Sequence, residues 1–261
     1  MDKKITIIGG GNLGAAIAEG LVASHFVKPE LITVTRRKLH LIQHLSDKGI
    51  HISDDNLEST MGADIVILAI KPKQCLDIIA EIKTGLSENV ILVSVVTGVL
   101  IKDMIEAAGR NIAVFRAMPN TAIAIRESMT CIATNHDHEE DRELIVKIFE
   151  QVGDAIIIEE ELMNASTVLG ACGIAYALRF IRAASQGGIE IGFSSRVAQR
   201  IAAQTVKGAA SLLQENGLHP EHEIDKVTTP QGCTIAGLNE MEHQGFSSSL
   251  IKGIKTSYDK I

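Results

Sequence analysis

The four cysteines, Cys75, Cys131, Cys172 and Cys233, form no C-x-x-C pair and have no histidine at metal-ligand spacing. Disulfides and a structural zinc site are therefore not expected. Basic residues are not in surplus either. The formal charge is −7, which argues against a protein that tracks a phosphate backbone, because that task needs Lys and Arg massed on one face. No uninterrupted apolar run approaches the roughly 20 residues of a membrane helix. The longest strand-like stretch, Ile65 to Ile70, is bounded by Asp64 and Lys71, and no membrane span is expected. The opening Met1-Asp2-Lys3-Lys4 lacks the apolar segment and small-residue cleavage site of a signal peptide, so a cytoplasmic location is expected. Internal repeats and low-complexity segments are also missing. The partners that remain are small molecules and a second copy of the chain.

What is there is enough for a large core. At 261 residues and 46% hydrophobic content, the chain can bury one large core or two modest ones, and two domains are expected. Residues 5–9, 31–35, 64–70, 90–95, 112–117, 129–133 and 155–159 read as strands. Between them, 13–25, 38–48, 72–83, 99–108 and 138–151 carry helical periodicity. That alternation predicts a doubly wound α/β domain over 1–158, with a mostly parallel sheet covered on both faces. Beyond it the strand signal stops. Residues 160–191, 194–217, 234–243 and 247–260 read as helices, giving an all-helical domain over 159–261. Small residues such as Ala171, Gly173, Ala175, Ala202, Ala203 and Gly208 permit close helix approach. A helical region apolar on more than one face is read as a dimerisation domain.

The first strand runs into Gly9-Gly10-Gly11-Asn12-Leu13-Gly14 and then a helix, which is G-x-G-x-x-G in a Rossmann-type strand-loop-helix setting. Gly9 suits the tight turn, Gly11 a close backbone approach to a pyrophosphate, and Gly14 helix-on-strand packing. The pyrophosphate of a dinucleotide is expected on the helix N-terminus. The second strand ends Val34-Thr35-Arg36-Arg37-Lys38, with no acid to bond a ribose 2′-hydroxyl. Arg36 offers a permanently charged fork to a 2′-phosphate, so NADP(H) is expected over NAD(H). Lys71 and Pro72 follow the third strand, and Val95, Val96 and Thr97 end the next. Asn120 lies in the turn Met118-Pro119-Asn120-Thr121 after another strand. Such strand tips face the ligand crevice of a doubly wound sheet.

Taken together, the glycine loop with Asn12, Ala69-Ile70-Lys71-Pro72, Met118-Pro119-Asn120-Thr121 and the closing Thr229-Pro230-Gln231-Gly232-Cys233-Thr234-Ile235-Ala236-Gly237-Leu238 resemble the pyrroline-5-carboxylate reductase family over nearly the whole length. The last motif is the specific one. The resemblance implies NADPH-dependent reduction of a cyclic imino acid to proline, the last step of proline biosynthesis. It also implies a homodimer whose active sites take residues from both subunits, with a higher oligomer of dimers left open. It assigns Ile8, Gly9, Gly10, Gly11, Asn12, Leu13, Thr35, Arg36, Asn56, Ala69, Ile70, Lys71, Pro72, Val95, Val96 and Thr97 to the cofactor. Glu160, Asn120, Thr229, Gly232, Cys233 and Thr234 go to the substrate, with Thr234 as candidate proton donor and Glu160 as the acid beside the imine. These roles have a physical basis. A substrate with a carboxylate beside a C=N bond needs an anion cradle, which the free N–H groups at a helix starting near Gly232 can supply. Reduction needs a protonated imine, which a hydroxyl relay and a nearby carboxylate promote.

The chain departs from the family near the expected substrate. The helix motif S-G-S-G-P-A-Y is here Gly170-Ala171-Cys172-Gly173-Ile174-Ala175-Tyr176, and Gln231 stands where glycine is usual. If that glycine has positive φ, Gln231 forces a different loop backbone. Two rival readings stand beside the reductase. A hydroxyacid or ketoacid dehydrogenase needs a Lys or His general acid in the helical domain, whereas the only bases in helix 161–192 are Arg179 and Arg182. A non-catalytic, cofactor-binding regulator would keep the fold without turnover. The pairs His136/His138 and His219/His222 read as solvent-exposed turn residues, and no metal is expected.

Overall fold

The structure, a computed structural model, describes all 261 residues. Eight strands form one sheet: β1 (Ile5–Ile8), β2 (Ile32–Thr35), β3 (His51–Ser53), β4 (Ile65–Leu68), β5 (Ile91–Ser94), β6 (Ala113–Met118), β7 (Ser128–Thr134) and β8 (Gly153–Ile157). Their order across the sheet is β3-β2-β1-β4-β5-β6-β7-β8. In β1, β4 and β5 every residue is buried, which is why those segments read as continuous apolar runs. Alternate residues feed opposite layers. Ile5, Ile7, Ile65 and Ile67 pack with α1 (Asn12–Ala23) and with Ile145, Ile148 and Phe149 of a later helix, Glu139–Glu150. Ile8, Val66 and Leu68 pack on the other face with α2 (Cys75–Ile82) and α3 (Ile101–Ala108). We label the later helix, Glu139–Glu150, α4.

All neighbouring pairs are parallel except β6 and β7. The link between those two holds nine residues, shorter than the dozen or more that a parallel crossover needs. Three expectations are corrected here. Strand β3 went unread because it is three residues long with a polar residue at each end. The helix expected over 38–48 is a 3₁₀ turn, Leu39–Leu41, and one helical turn, Gln43–Ser46. The last strand lies at 153–157 and not at 155–159.

The chain divides into two compact units, Met1–Ala171 and Cys172–Ile261. The second unit contains α5 (Gly173–Glu190), α6 (Ser195–Asn216), α7 (Pro220–Lys226), α8 (Cys233–His243) and α9 (Phe246–Tyr258). Helices α5 and α6 meet where a Cβ at Gly188 would lie 2.9 Å from the Ala198 Cβ. The Tyr176 hydroxyl donates to Ser257 Oγ at 2.7 Å, and Phe180 meets Phe246 edge to face. The only buried apolar side chains of this unit are Ala198 and Ala202, whereas Leu178, Ile191, Val227 and Ile251 are exposed.

Helical structure is continuous over Glu160–Glu190, with a π-helical stretch at Thr167–Cys172. By length and composition this run is apolar enough to cross a membrane, with 6% of its most apolar window buried. It is not an uninterrupted apolar run, because Arg179, Arg182 and several small polar residues dilute it.

Candidate active site

The glycine loop joins β1 to α1 at the point where β1 sits between β2 and β4, the switch point of a doubly wound sheet. Gly9 has φ +110°, and a Cβ there would lie 2.3 Å from the Ala69 carbonyl oxygen. A Cβ on Gly14 would lie 2.1 Å from the Gly9 carbonyl oxygen, whereas one on Gly11 would meet nothing within 4 Å. The loop is thus closed against the sheet and open on its Gly11 side. No side chain caps α1, and its first turn holds no acid. The free N–H groups and the positive end of the helix dipole suit a pyrophosphate there.

The second strand holds this loop in place. The Thr35 carbonyl accepts the N–H groups of Gly9 and Gly10 at 3.1 and 2.8 Å, and its buried hydroxyl donates to Asn56 Oδ1 at 2.7 Å. Asn56 in turn donates to Glu81. Arg36 Nη1 donates to the Gly10 carbonyl at 2.6 Å. Its guanidinium lines an open cleft of about 570 Å³ together with Gly11, Asn12, His44 and Lys48. Lys48 pairs with Glu19, whereas Arg36 has no carboxylate partner and bonds the loop itself. Ile8 is buried in the layer of α2 and α3, and Leu13 is partly buried against the layer of α1.

The tips of the next strands lie beside the loop. Ala69 N–H donates to the Ile8 carbonyl at 2.8 Å, and Val95 N–H to the Leu68 carbonyl at 3.0 Å. Ile70 touches the position of the missing Gly9 side chain, and Lys71 and Pro72 are exposed. Val95 and Val96 are buried, whereas Thr97 is exposed and directs its hydroxyl to Met118 Sδ at 3.9 Å. Asn120 is buried. Its Oδ1 accepts from Ala122 N–H, its Nδ2 donates to the Gly170 carbonyl, and its own N–H donates to Ser128 Oγ. Its hydrogen bonds therefore tie the turn after β6 to the helical segment at Gly170.

Glu160 has a partner that sequence reasoning missed. Its Oε1 accepts from Arg116 Nη1 and from the Ile101 N–H, both at 2.9 Å. Arg116 sits in β6 and is 3% exposed, with no partner for its Nε. The Ile101 N–H is the first of α3, so Glu160 also caps that helix. The signal was present as one arginine inside the apolar strand Ala113–Met118, since a buried cation requires a paired anion. Oε1 is committed, and Oε2 has no donor within hydrogen-bonding distance.

In the second unit, taken by itself, Thr229 to Gly232 form a tight turn closed by the Gly232 N–H donating to the Thr229 carbonyl at 2.9 Å. Gln231 takes φ +59°, the left-handed geometry that the third residue of such a turn after proline requires. The glycine geometry is thus kept without the glycine. A Cβ on Gly232 would lie 2.5 Å from Thr229 Oγ1. Helix α8 starts at Cys233 with neither a side-chain cap nor an acid in its first turn. Cys233 is exposed and Thr234 half-buried at this start, so Cys233 and Thr234 stand at free N–H groups suited to an anion.

Residues 160–261 match the family model for pyrroline-5-carboxylate reductase dimerisation, and residues 4–98 match that for NADP oxidoreductase, coenzyme F420-dependent. Pyrroline-5-carboxylate reductase 2 of Dictyostelium discoideum is 46% identical over 275 residues, covering 99% of this chain and 92% of that protein. Pyrroline-5-carboxylate reductase 1 of the same organism is 49% identical over 271 residues. The chain spans about half (49%) of the length of that relative. A solved pyrroline-5-carboxylate reductase from Coxiella burnetii superposes with a TM-score of 0.95 at 28% identity, covering 100% of this chain and 97% of that one.

Proposed function

The chain belongs to the pyrroline-5-carboxylate reductase family, and from that premise we propose that it reduces 1-pyrroline-5-carboxylate to L-proline with NADPH, as a homodimer. One observation carries the reading. Each unit presents a helix start with no side-chain cap and no acid in the first turn, α1 behind the glycine loop and α8 behind the Thr229 turn. The reaction has two anions to hold, a pyrophosphate and a carboxylate, and a helix start suits each.

In this reading the N–H groups of Asn12 and Leu13 hold the pyrophosphate, and Arg36 meets the 2′-phosphate with the donors that Gly10 leaves free. NADPH supplies a hydride from its nicotinamide. The N–H groups of Cys233 and Thr234 hold the substrate carboxylate. As the new C–H bond forms at the imine carbon, the C=N π pair moves onto nitrogen. The Thr234 hydroxyl, or a water that it orders, supplies the proton that makes the imine an iminium before the hydride arrives, so that the nitrogen ends as a neutral secondary amine. Glu160 has only Oε2 left for the iminium charge. The assembly of two copies accounts for the exposed apolar helices of the second unit.

The test is NADPH oxidation, followed by absorbance, with 1-pyrroline-5-carboxylate as substrate. Thr234→Ala is expected to lower kcat by ~10²-fold or more. Arg36→Ala is expected to raise KM for NADPH by ~10-fold or more while leaving that for NADH nearly unchanged. Cofactor binding without oxidation would contradict the reductase reading and favour a regulatory one.

A further inference from the structure

Outside the candidate active site, His136, His138 and Asp141 bring three donor atoms to within 4.8 Å of one another. We propose that they form a binding site for a single divalent transition-metal ion of the zinc class, with water completing the coordination. The sequence pattern alone suggests two solvated turn residues here. Side chains two apart in an extended segment project to one side, and Asp141 lies three residues past His138, the residue that precedes α4, so it returns to the same side within the first helical turn.

The distances suit an ion. His136 Nε2 lies 2.8 Å, and His138 Nδ1 3.4 Å, from Asp141 Oδ2. A tetrahedral ion with bonds of about 2.0–2.1 Å needs donors roughly 3.3–3.4 Å apart. The His138–Asp141 pair already has that spacing, while the His136–Asp141 pair must open by about half an ångström and the two imidazoles, whose donors lie within 4.8 Å, must settle to the same span. Two imidazoles and a carboxylate form a donor set that zinc accepts in three-ligand sites.

The site is also held in advance of any ion. Thr134 Oγ1 accepts the His136 N–H at 3.0 Å while donating to the Val114 carbonyl at 2.8 Å. Asn135 Oδ1 accepts the Val114 N–H at 3.1 Å. These bonds extend the β6–β7 ladder past its last pair and lock the backbone that carries His136, whose ring packs edge-on against Phe115. This position is near the start of β6, whereas the glycine loop follows the end of β1. The ion therefore sits at the opposite end of the sheet from the cofactor loop, and its effect is on stability and not on turnover.

The experiment titrates the chelator-treated, full-length protein with Zn²⁺ by calorimetry and with Co²⁺ by visible absorption. The expected result is one ion per chain, a Co²⁺ spectrum of low coordination number, and a Zn²⁺-dependent rise in Tm. His136→Gln/His138→Gln is expected to weaken Zn²⁺ binding by ~100-fold or more and to abolish that rise. Cys172→Ser/Cys233→Ser is expected to retain both, and KM for NADPH is expected to stay the same with and without zinc. Binding that survives loss of the two histidines, that vanishes with the two cysteines, or that raises KM for NADPH would overturn the proposal. The calorimetric, spectroscopic and Tm outcomes do not depend on the identity of the imine substrate.

Discussion

Cys75 shows how one residue can report on its packing. It is fully buried at the start of α2, and burial pushes its thiol from the usual 9.0 up to about 11, against a smaller lowering by a hydrogen bond with Ser94. Burial raises Cys131 in the same direction. The sign of the consequence follows from linkage. Below pH 9 the thiol is protonated in both folded and unfolded chains and costs nothing. Between the unfolded and folded values the unfolded chain releases its proton first, so stability falls as pH rises. The whole effect is at most roughly 2–3 kcal/mol for Cys75. Urea unfolding across this window should show the wild type losing up to that much more than Cys75→Ala. Parallel pH curves for the two proteins would contradict the assignment. Gln231 makes the complementary point, because its left-handed φ costs of order 1 kcal/mol and is retained all the same, which indicates that the turn geometry is fixed by its surroundings and not by residue type.

At the scale of elements, the Arg116–Glu160 pair links β6 to the start of α3. Glu160→Ala would strand a buried guanidinium whose Nε already lacks a partner. The expected loss is about 2–4 kcal/mol of unfolding free energy, with Glu160→Gln losing less because it keeps an acceptor. An unchanged midpoint for Glu160→Ala would remove the pair from the architecture. This pairing was not legible in the sequence, since Arg116 and Glu160 are 44 residues apart and no local pattern connects them. What was legible is what short-range rules govern. The glycine loop, the doubly buried strands β1, β4 and β5, and Asn120 at its turn all follow from residue type and spacing. Strand β3 did not, because three residues carry too little periodicity to detect. The reversal at β7 was hidden in the length of one connection. The candidate site was visible as two separate motifs, while the partners of Thr35, Arg36 and Glu160 are products of the fold.

At the scale of the whole molecule, the second unit has almost no core of its own. Its ninety residues bury two apolar side chains, both alanine, against an ordering cost of about 1–2 kcal/mol per residue. Leu178 is 59% and Ile251 65% exposed, and an apolar face of that kind requires cover. Residues 160–261 match a dimerisation model, and under the proposed reading the cover is a second copy. Stability should then depend on concentration, because a partner that binds only the folded form shifts unfolding by mass action. We expect Tm to fall on dilution of the wild type. Leu178→Glu should shift the sedimenting species from a dimer to the 28.0 kDa single chain, with a lower Tm that no longer responds to concentration. A wild type that sediments as one chain, with a Tm indifferent to dilution, would show that these helices are covered by something other than a second copy.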